Sequence, residues 1–194
     1  DNVGNLFNDD RDRTQTGLGL RVTRGLDKNT KVFIQGFLNN RDYEMTQTFE
    51  VTENNVTSRV EFEKDSSGYS ANVGVIKTFG KKSRLEAYAG VLSQDYDDAE
   101  FDTVTEPDLG VNLRWYPAEG YKLTGSLKRS LGETNLYGSS GYLYTSMSLR
   151  LDKRMFKDYI GFITYDYGEA DYQEHTRSDT FNAFGIGLNY YMTP

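Results

Sequence analysis

Few residues of this sequence have the types and spacing that catalysis requires. His175 is the only histidine and cysteine is absent, which excludes thiol chemistry and cysteine-ligated metal sites. No Ser–His–Asp arrangement surrounds His175 in the segment EHTR, so we interpret it as a solvated loop residue. Glu86 and Asp108 could form the carboxylate pair of a glycoside hydrolase, but Arg84 and Arg114 lie close enough to neutralise them. We therefore expect no enzyme and no cofactor.

Two further segments resemble ligand sites only superficially. The run DYDDAEFD (95–102) offers the carboxylate oxygens that calcium prefers, yet it lacks the ordered ligand spacing of a known calcium loop. We interpret it as an acidic loop and expect no metal. The segment GLGLRVTRG (17–25) has its glycines inside a predicted strand, with no following helix or Lys-Ser/Thr pair, so it is not a phosphate loop.

The remaining polar side chains are informative because they alternate with apolar ones. In DLGVNLRWYP (108–117), apolar Leu109, Val111, Leu113 and Trp115 occupy every second position, which predicts a β-strand. In an outer-membrane barrel the polar face would line a lumen and form a substrate path, whereas in a soluble sandwich it would face solvent. We assign to it Arg21, Gln35, Asn72, Arg84, Glu86, Asp108, Asn112, Arg114, Lys122, Ser126, Lys128 and Arg150.

Nine long segments alternate in this way. They cover 13–24, 30–42, 67–78, 83–95, 107–116, 121–132, 141–152, 158–168 and 179–191. Typical globular strands have about five or six residues, whereas tilted membrane strands need about 9–11, so these lengths favour a bilayer. In segments 30–42 and 158–168 the alternation does not distinguish a polar face from an apolar one, because the nominally polar side carries Phe33, Phe37, Ile160 and Phe162.

The connections between the segments alternate in length. The short ones are 25–29, 79–82, 117–120 and 153–157, and the longer ones are 43–66, 96–106, 133–140 and 169–178. Short turns at one end and long loops at the other are typical of outer-membrane barrels. Within the longest loop, at 44–66, the segment TFEVTENNVTSRVEF alternates around Asn54-Asn55 and predicts an extracellular β-hairpin.

Aromatic residues cluster near both ends of the predicted strands, as in the interfacial girdles of membrane barrels. The short-turn band holds Trp115, Tyr116, Tyr121, Phe156, Tyr159, Tyr190 and Tyr191. The long-loop band holds Tyr43, Tyr69, Tyr96, Tyr142, Tyr165, Tyr167 and Phe181.

Composition restricts the class further. Only 37% of residues are hydrophobic, so no stretch approaches the roughly 18 apolar residues of a helical membrane span. The net charge of -7 argues against a nucleic-acid partner. The prediction is an all-β, antiparallel up-and-down transmembrane β-barrel over residues 1–194, with a soluble β-sandwich as the alternative. Nine strands is an odd number, so we expect part of a larger even-stranded barrel, an extra strand at 3–7, or two paired units.

A resemblance adds to this prediction. The segments NRDYE (40–44), AGVLSQDYDD (89–98), LRWYPAEGYKLTGSLKRSLGET (113–134) and GLNYY (187–191) resemble the β-barrel porins of exopolysaccharide gene clusters. In that family a W-x-P turn is followed by a strand ending in R-x-x-x-E-T. Trp115, Pro117, Arg129, Glu133 and Thr134 hold the matching positions. The resemblance implies an outer-membrane conduit for a secreted polysaccharide and carries over no catalytic residues.

Three functions are consistent with this sequence. The favoured one is a porin-like export conduit in the bacterial outer membrane, whose Arg- and Lys-lined lumen attracts an acidic polysaccharide and whose inward tyrosines Tyr88, Tyr116 and Tyr144 stack on sugars. Its partners would be membrane lipids, the polysaccharide, and periplasmic export proteins or a second barrel portion. The alternative is a non-transporting barrel that acts as an adhesin or scaffold through its loops. The third, a barrel hydrolase, lacks an identifiable cluster.

Overall fold

The computed structural model describes residues 3–5, 12–53, 56–80, 82–134 and 136–192, and the described part of the chain is built from twelve β-strands. The strands are β1 (Val3–Asn5), β2 (Arg13–Gly25), β3 (Thr30–Tyr43), β4 (Gln47–Glu53), β5 (Val56–Phe62), β6 (Ser66–Phe79), β7 (Ser83–Tyr96), β8 (Val104–Trp115), β9 (Tyr121–Gly132), β10 (Tyr142–Phe156), β11 (Tyr159–Tyr172) and β12 (Ser178–Tyr190). Among the described residues, no helix is long and apolar enough to cross a membrane.

Nine of these strands form one antiparallel sheet in the order β12-β11-β10-β9-β8-β7-β6-β3-β2. Each strand pairs with its neighbour in sequence, except that β3 pairs directly with β6 and the segment between them leaves the sheet. Within the described residues the sheet is not closed, because β2 and β12 each have one neighbour. The predicted all-β, antiparallel up-and-down architecture is confirmed.

Three predicted boundaries are wrong, and the first is the start of β8, which begins at Val104 instead of at residue 107. The segment 153–157 was expected to be a short connection, but β10 continues to Phe156 through an irregularity between Arg154 and Phe156. Arg154 pairs with Ile160, so the charged side chains extend the strand instead of ending it. Strand β11 likewise continues to Tyr172, beyond the loop start predicted at Glu169.

The apolar face of the sheet carries large side chains that no other described element covers. Phe184 and Ile186 on β12 are 80% and 86% exposed. The register places the apolar side of the alternating segments together on this face, since directly paired residues of an antiparallel sheet share a face. This set comprises Thr16, Leu18, Leu20, Val22, Ala71, Val73, Val75, Leu85, Ala87, Ala89, Val91, Leu109, Val111, Leu113, Trp115, Leu123, Gly125, Leu127, Leu143, Met147, Leu149, Leu151, Phe184, Ile186, Leu188 and Tyr190. Of these residues only Leu143, near the long-loop end, is buried.

The two aromatic bands differ in how well they were predicted. At the short-turn end, the apolar face carries Trp115, Tyr121, Phe156, Tyr159 and Tyr190. At the long-loop end the prediction is wrong for four members, which lie on the opposite face: Tyr43, Tyr96, Tyr142 and Phe181. The error arose because nearness to a strand end was used without the odd or even position that determines the face.

A small sheet in the order β1-β4-β5 lies outside the nine-stranded one. Strands β4 and β5 pair along their whole length, from Gln47 opposite Phe62 to Glu53 opposite Val56, and form a hairpin. Its expected turn residues, Asn54 and Asn55, lie outside the described residues. The predicted extra strand at 3–7 is present in part as β1, which pairs with β4 and not with the large sheet, while Leu6 and Phe7 lie outside the described residues.

The hairpin is fixed by an aromatic cluster at the long-loop end. Phe49 and Phe62 pack with Phe101 from the β7–β8 loop and with Tyr96 at the end of β7, and Tyr137 from the β9–β10 loop joins the cluster. These contacts bury the apolar side of the hairpin, so the three longest connections form one packed unit.

Candidate functional site

The register brings the predicted lumen residues onto one face of the nine-stranded sheet. Arg21 pairs with Gln35, and Gln35 pairs in turn with Asn72. Continuing in the same way across β7 to β10, the polar face carries all twelve residues, Arg21, Gln35, Asn72, Arg84, Glu86, Asp108, Asn112, Arg114, Lys122, Ser126, Lys128 and Arg150. Alternation and the observed register thus agree that the twelve residues share one face, and their role as a lumen lining stays a prediction.

Side chains on this face contact one another across intervening strands. Arg41 on β3 and Glu133, which follows β9, form an ion pair with Nε 3.1 Å from Oε1. Strands β6, β7 and β8 lie between β3 and β9, and four strand spacings amount to about 19 Å along a sheet. Arg21 on β2 likewise reaches Glu86 on β7, at 2.7 Å. The sheet therefore curves around its polar face, and the apolar face is the convex one.

Two residues that matched the family motif R-x-x-x-E-T, Glu133 and Thr134, have structural roles at the long-loop end of the sheet. Glu133 is the common partner of Arg13, Arg41 and the hydroxyl group of Tyr43. The carbonyl oxygen of Thr134 accepts a hydrogen bond from Lys64 Nζ at 2.5 Å. The motif thus joins β2, β3 and the base of the hairpin to the end of β9.

Two arginines on the polar face are held in the same way. The guanidinium carbon of Arg21 lies 3.5 Å from the centre of the Phe33 ring, and that of Arg150 lies 3.9 Å from the centre of Phe162. Arg21 also pairs with Glu86, which Arg84 contacts as well. Arg150 likewise pairs with Asp152, which Lys122 contacts as well. Stacking and pairing together restrict the orientation of both guanidinium groups.

The aromatic residues beneath these arginines were the ambiguous positions of the sequence. Phe33 lies over Gly74, and Phe162 lies over Gly187, where an added Cβ would overlap the ring in each case. Tyr88 covers Gly110 in the same manner. These rings lean across the neighbouring strand instead of projecting away from the sheet. A glycine opposite each aromatic residue was the sequence signal that could have resolved the two strands.

The carboxylates considered for catalysis have other partners. Glu86 accepts hydrogen bonds from Arg21 and Arg84 at 2.7 Å each, so each of its two carboxylate oxygens already has a cationic partner. Asp108 is buried and accepts a hydrogen bond from Asn72 Nδ2 at 2.6 Å. Gly90 on β7 pairs with Asn72 on one side and with Asp108 on the other. Because Gly90 has no side chain, the hydrogen bond between Asn72 and Asp108 can pass over it.

The loop residues considered for catalysis and metal binding make local contacts. His175 Nε2 lies 2.8 Å from the carbonyl oxygen of Tyr137. Asp98 in the acidic run accepts hydrogen bonds from the backbone N–H groups of Glu63 and Glu100, each at 3.0 Å. Over the described ranges, no three histidine or acidic side chains come together as a metal site would require.

The β9–β10 and β11–β12 loops are joined by Glu174. Its carboxylate accepts hydrogen bonds from the backbone N–H of Ser140 at 2.9 Å and from the Ser140 hydroxyl group at 3.0 Å. Glu174 has a φ of 57°, in the left-handed region that non-glycine residues rarely adopt. Ser140 is fully buried. The hydrogen bonds to the buried Ser140 therefore hold Glu174 in a strained backbone conformation.

The model of the family described as "Putative beta-barrel porin 2" matches residues 2–194. Two solved structures of OmpT, an outer membrane protein of Vibrio cholerae, one folded in vitro and one expressed in the outer membrane, are similar in fold. Each has a TM-score of 0.54 and 17% identity, over 92% of this chain and 56% of the OmpT chain. This chain thus spans little more than half the length of its structural relatives. No curated protein sequence matches it.

Proposed function

Because this chain belongs to the "Putative beta-barrel porin 2" family, we propose that its curved sheet forms part of the wall of an outer-membrane conduit that exports a polysaccharide. Membership of a porin family places the chain in the bacterial outer membrane. In this conduit the convex apolar face contacts lipid and the concave polar face lines the lumen.

One observation carries the proposal, namely that the sheet curves around its charged face. The contacts of Arg41 with Glu133 and of Arg21 with Glu86 both cross intervening strands on that face. A soluble sandwich would enclose its apolar face and expose the polar one. Here the apolar face is convex and uncovered, which supports a lipid-facing exterior and a wet interior.

The side chains on the polar face are suited to binding an extended solute that carries many hydroxyl groups. Arginine and lysine alternate across it with short hydroxyl and amide side chains, for example Asn112, Thr124 and Ser126. Such groups give many weak hydrogen bonds, and conduction requires binding that is strong enough to admit a solute yet weak enough to release it. We propose no catalytic step for this surface.

Single-channel recording in planar bilayers tests the proposal. The longest native chain that contains residues 1–194 would be reconstituted, and its conductance recorded with and without an oligosaccharide on one side. We expect stable conductance steps that the sugar interrupts. A protein that inserts and stays silent would contradict the open conduit.

A silent barrel would favour the alternative, a surface scaffold. The observation consistent with that function is the rigid loop end, where the β4–β5 hairpin is packed by Phe101 and Tyr137. Adhesion of vesicles that carry the protein, measured with and without residues 47–62, would then be the direct measurement.

A further inference from the structure

Two arginines face each other directly on the polar face. Arg84 on β7 pairs in register with Arg114 on β8, which brings their Cβ atoms to about 5 Å. Like charges in directly opposite positions destabilise a sheet. Arg84 is compensated by Glu86 at 2.7 Å, whereas Arg114 makes no ion pair with any residue that the structure describes. The arrangement costs stability, and an anionic ligand would offset that cost.

A groove of about 540 Å³ lies beside this pair, within the range of about 300–1,000 Å³ typical of small-molecule sites. Five of the ten polar side chains that line it are short and uncharged: Asn112, Thr124, Ser126, Ser148 and Thr164. All five lie on the polar face, on four neighbouring strands. Their hydroxyl and amide groups can donate and accept hydrogen bonds, as a sugar ring requires.

A third cation closes the far side of the groove. Arg150 on β10 pairs with Thr124, which pairs with Arg114, so two strand spacings of about 10 Å separate Arg150 from Arg114. Arg150 is oriented by its stack on Phe162 and by Asp152. The groove therefore has fixed positive charge at both sides.

Two carboxylates also line the groove, and both have partners. Glu86 is held by Arg21 and Arg84. Asp166 accepts a hydrogen bond from the hydroxyl group of Ser148. Neither group is directed at Arg114, so its guanidinium donors remain available to a solute.

We propose that this groove is a binding site for a carboxylate-bearing sugar unit of the exported chain, a hexuronate, whose carboxylate lies on Arg114 and Arg84. A guanidinium matches a carboxylate with two parallel hydrogen bonds, and the neighbouring hydroxyl and amide groups hold the sugar hydroxyls. The site is open along the wall, so a polymer can step through it. The inference rests on the proposed function and adds the chemical class of the cargo.

Channel block tests it on the full native chain in planar bilayers. An oligogalacturonate should interrupt the current at a concentration at least tenfold below that of a neutral oligoglucose of equal length. Arg114→Gln should raise the half-blocking concentration of the oligogalacturonate at least tenfold and leave that of the oligoglucose within twofold. Arg114→Lys should give an intermediate value, because charge remains and the bidentate geometry is lost.

Lys28→Gln is the matched control, since it removes the same charge from the exposed β2–β3 turn. It should leave both half-blocking concentrations unchanged. Equal block by the acidic and neutral sugars, or an Arg114→Gln channel that behaves like the parent, would overturn the inference while conductance still supports the conduit. Equal block by a sulfated oligosaccharide would overturn the assignment of a carboxylate.

Calorimetry on the detergent-solubilised chain separates the two proposals. If the barrel does not conduct, the conduit fails, yet oligogalacturonate binding that Arg114→Gln weakens would still support the site. If no heat of binding is measured for the parent protein, the site is wrong whatever the conductance.

Discussion

Glu133 Oε1 lies 3.1 Å from Arg41 Nε. Arg41 is on β3 and Glu133 directly follows β9, and three strands, β6, β7 and β8, lie between β3 and β9 in the sheet. Both side chains are largely buried, at 14% and 10% exposure. Glu133 also binds Arg13 and Tyr43, so one carboxylate joins β2 and β3 to the end of β9. These contacts span the concave face at the long-loop end of the sheet.

We predict that Glu133→Gln destabilises the protein by about 3–5 kcal/mol, because it leaves Arg41 buried without its counter-charge. Urea-induced unfolding from lipid vesicles, followed by tryptophan fluorescence, measures the change. Glu50→Gln is the control, since its pair with Arg59 is exposed and an exposed pair contributes about 0–1 kcal/mol. Equal effects of the two substitutions would contradict the role given to Glu133.

We predict that Gly90→Ala costs about 1–3 kcal/mol, in the range of overpacking substitutions. A Cβ there would overlap the carbonyl oxygen of Ala71 and the side chain of Asn72, which would break the buried bond from Asn72 to Asp108. Gly25→Ala is matched to it, because no atom lies within 4 Å of a Cβ built at Gly25. The same unfolding experiment should show little change for Gly25→Ala, and a stable Gly90→Ala would refute the packing argument.

Leu149 and Ser148 are adjacent in sequence near the middle of β10, on the apolar and polar faces respectively. If the convex face contacts lipid, Leu149→Arg should cost about 2–4 kcal/mol, the value for arginine at the bilayer midplane. Ser148→Arg should be tolerated, since Asp166 pairs with this position and supplies a counter-charge. The folded fraction in vesicles, measured by heat-dependent electrophoretic mobility, distinguishes them. The opposite ranking would mean that the faces are reversed.

Glu174→Ala should loosen the β9–β10 loop without unfolding the sheet, because it removes the bonds to Ser140 and leaves the strand pairing intact. We expect limited proteolysis within 133–141 to accelerate several-fold, with an unchanged midpoint in urea. Asp179→Asn is the control: it removes a carboxylate from the exposed pair with Arg177 and should not alter cleavage of that loop. A Glu174→Ala protein cleaved at the parent rate would show that this contact does not hold the loop.

Strand positions and faces could be predicted because period-two alternation is a local property of the chain. The face of the strand on which Arg114 lies could be predicted from its two apolar neighbours, Leu113 and Trp115, alone. Partners across the sheet could not be predicted in the same way. Nothing local to Glu133 indicates Arg41. The end of β10 was missed too, because the pairing of Lys153 with Gly161 and of Arg154 with Ile160 is a contact with another strand. Curvature, and with it the inner side, depends on such distant pairs.

The direct pairing of β3 with β6, with Arg41 opposite Ser66, has a consequence for how this protein can change over evolutionary time. The segment between them leaves the wall and returns to it at neighbouring positions. Residues 44–65 can therefore be replaced, lengthened or exchanged between relatives without shifting the register of a single wall strand. Changes confined to this segment would leave every hydrogen-bonded pair of the nine-stranded sheet in place.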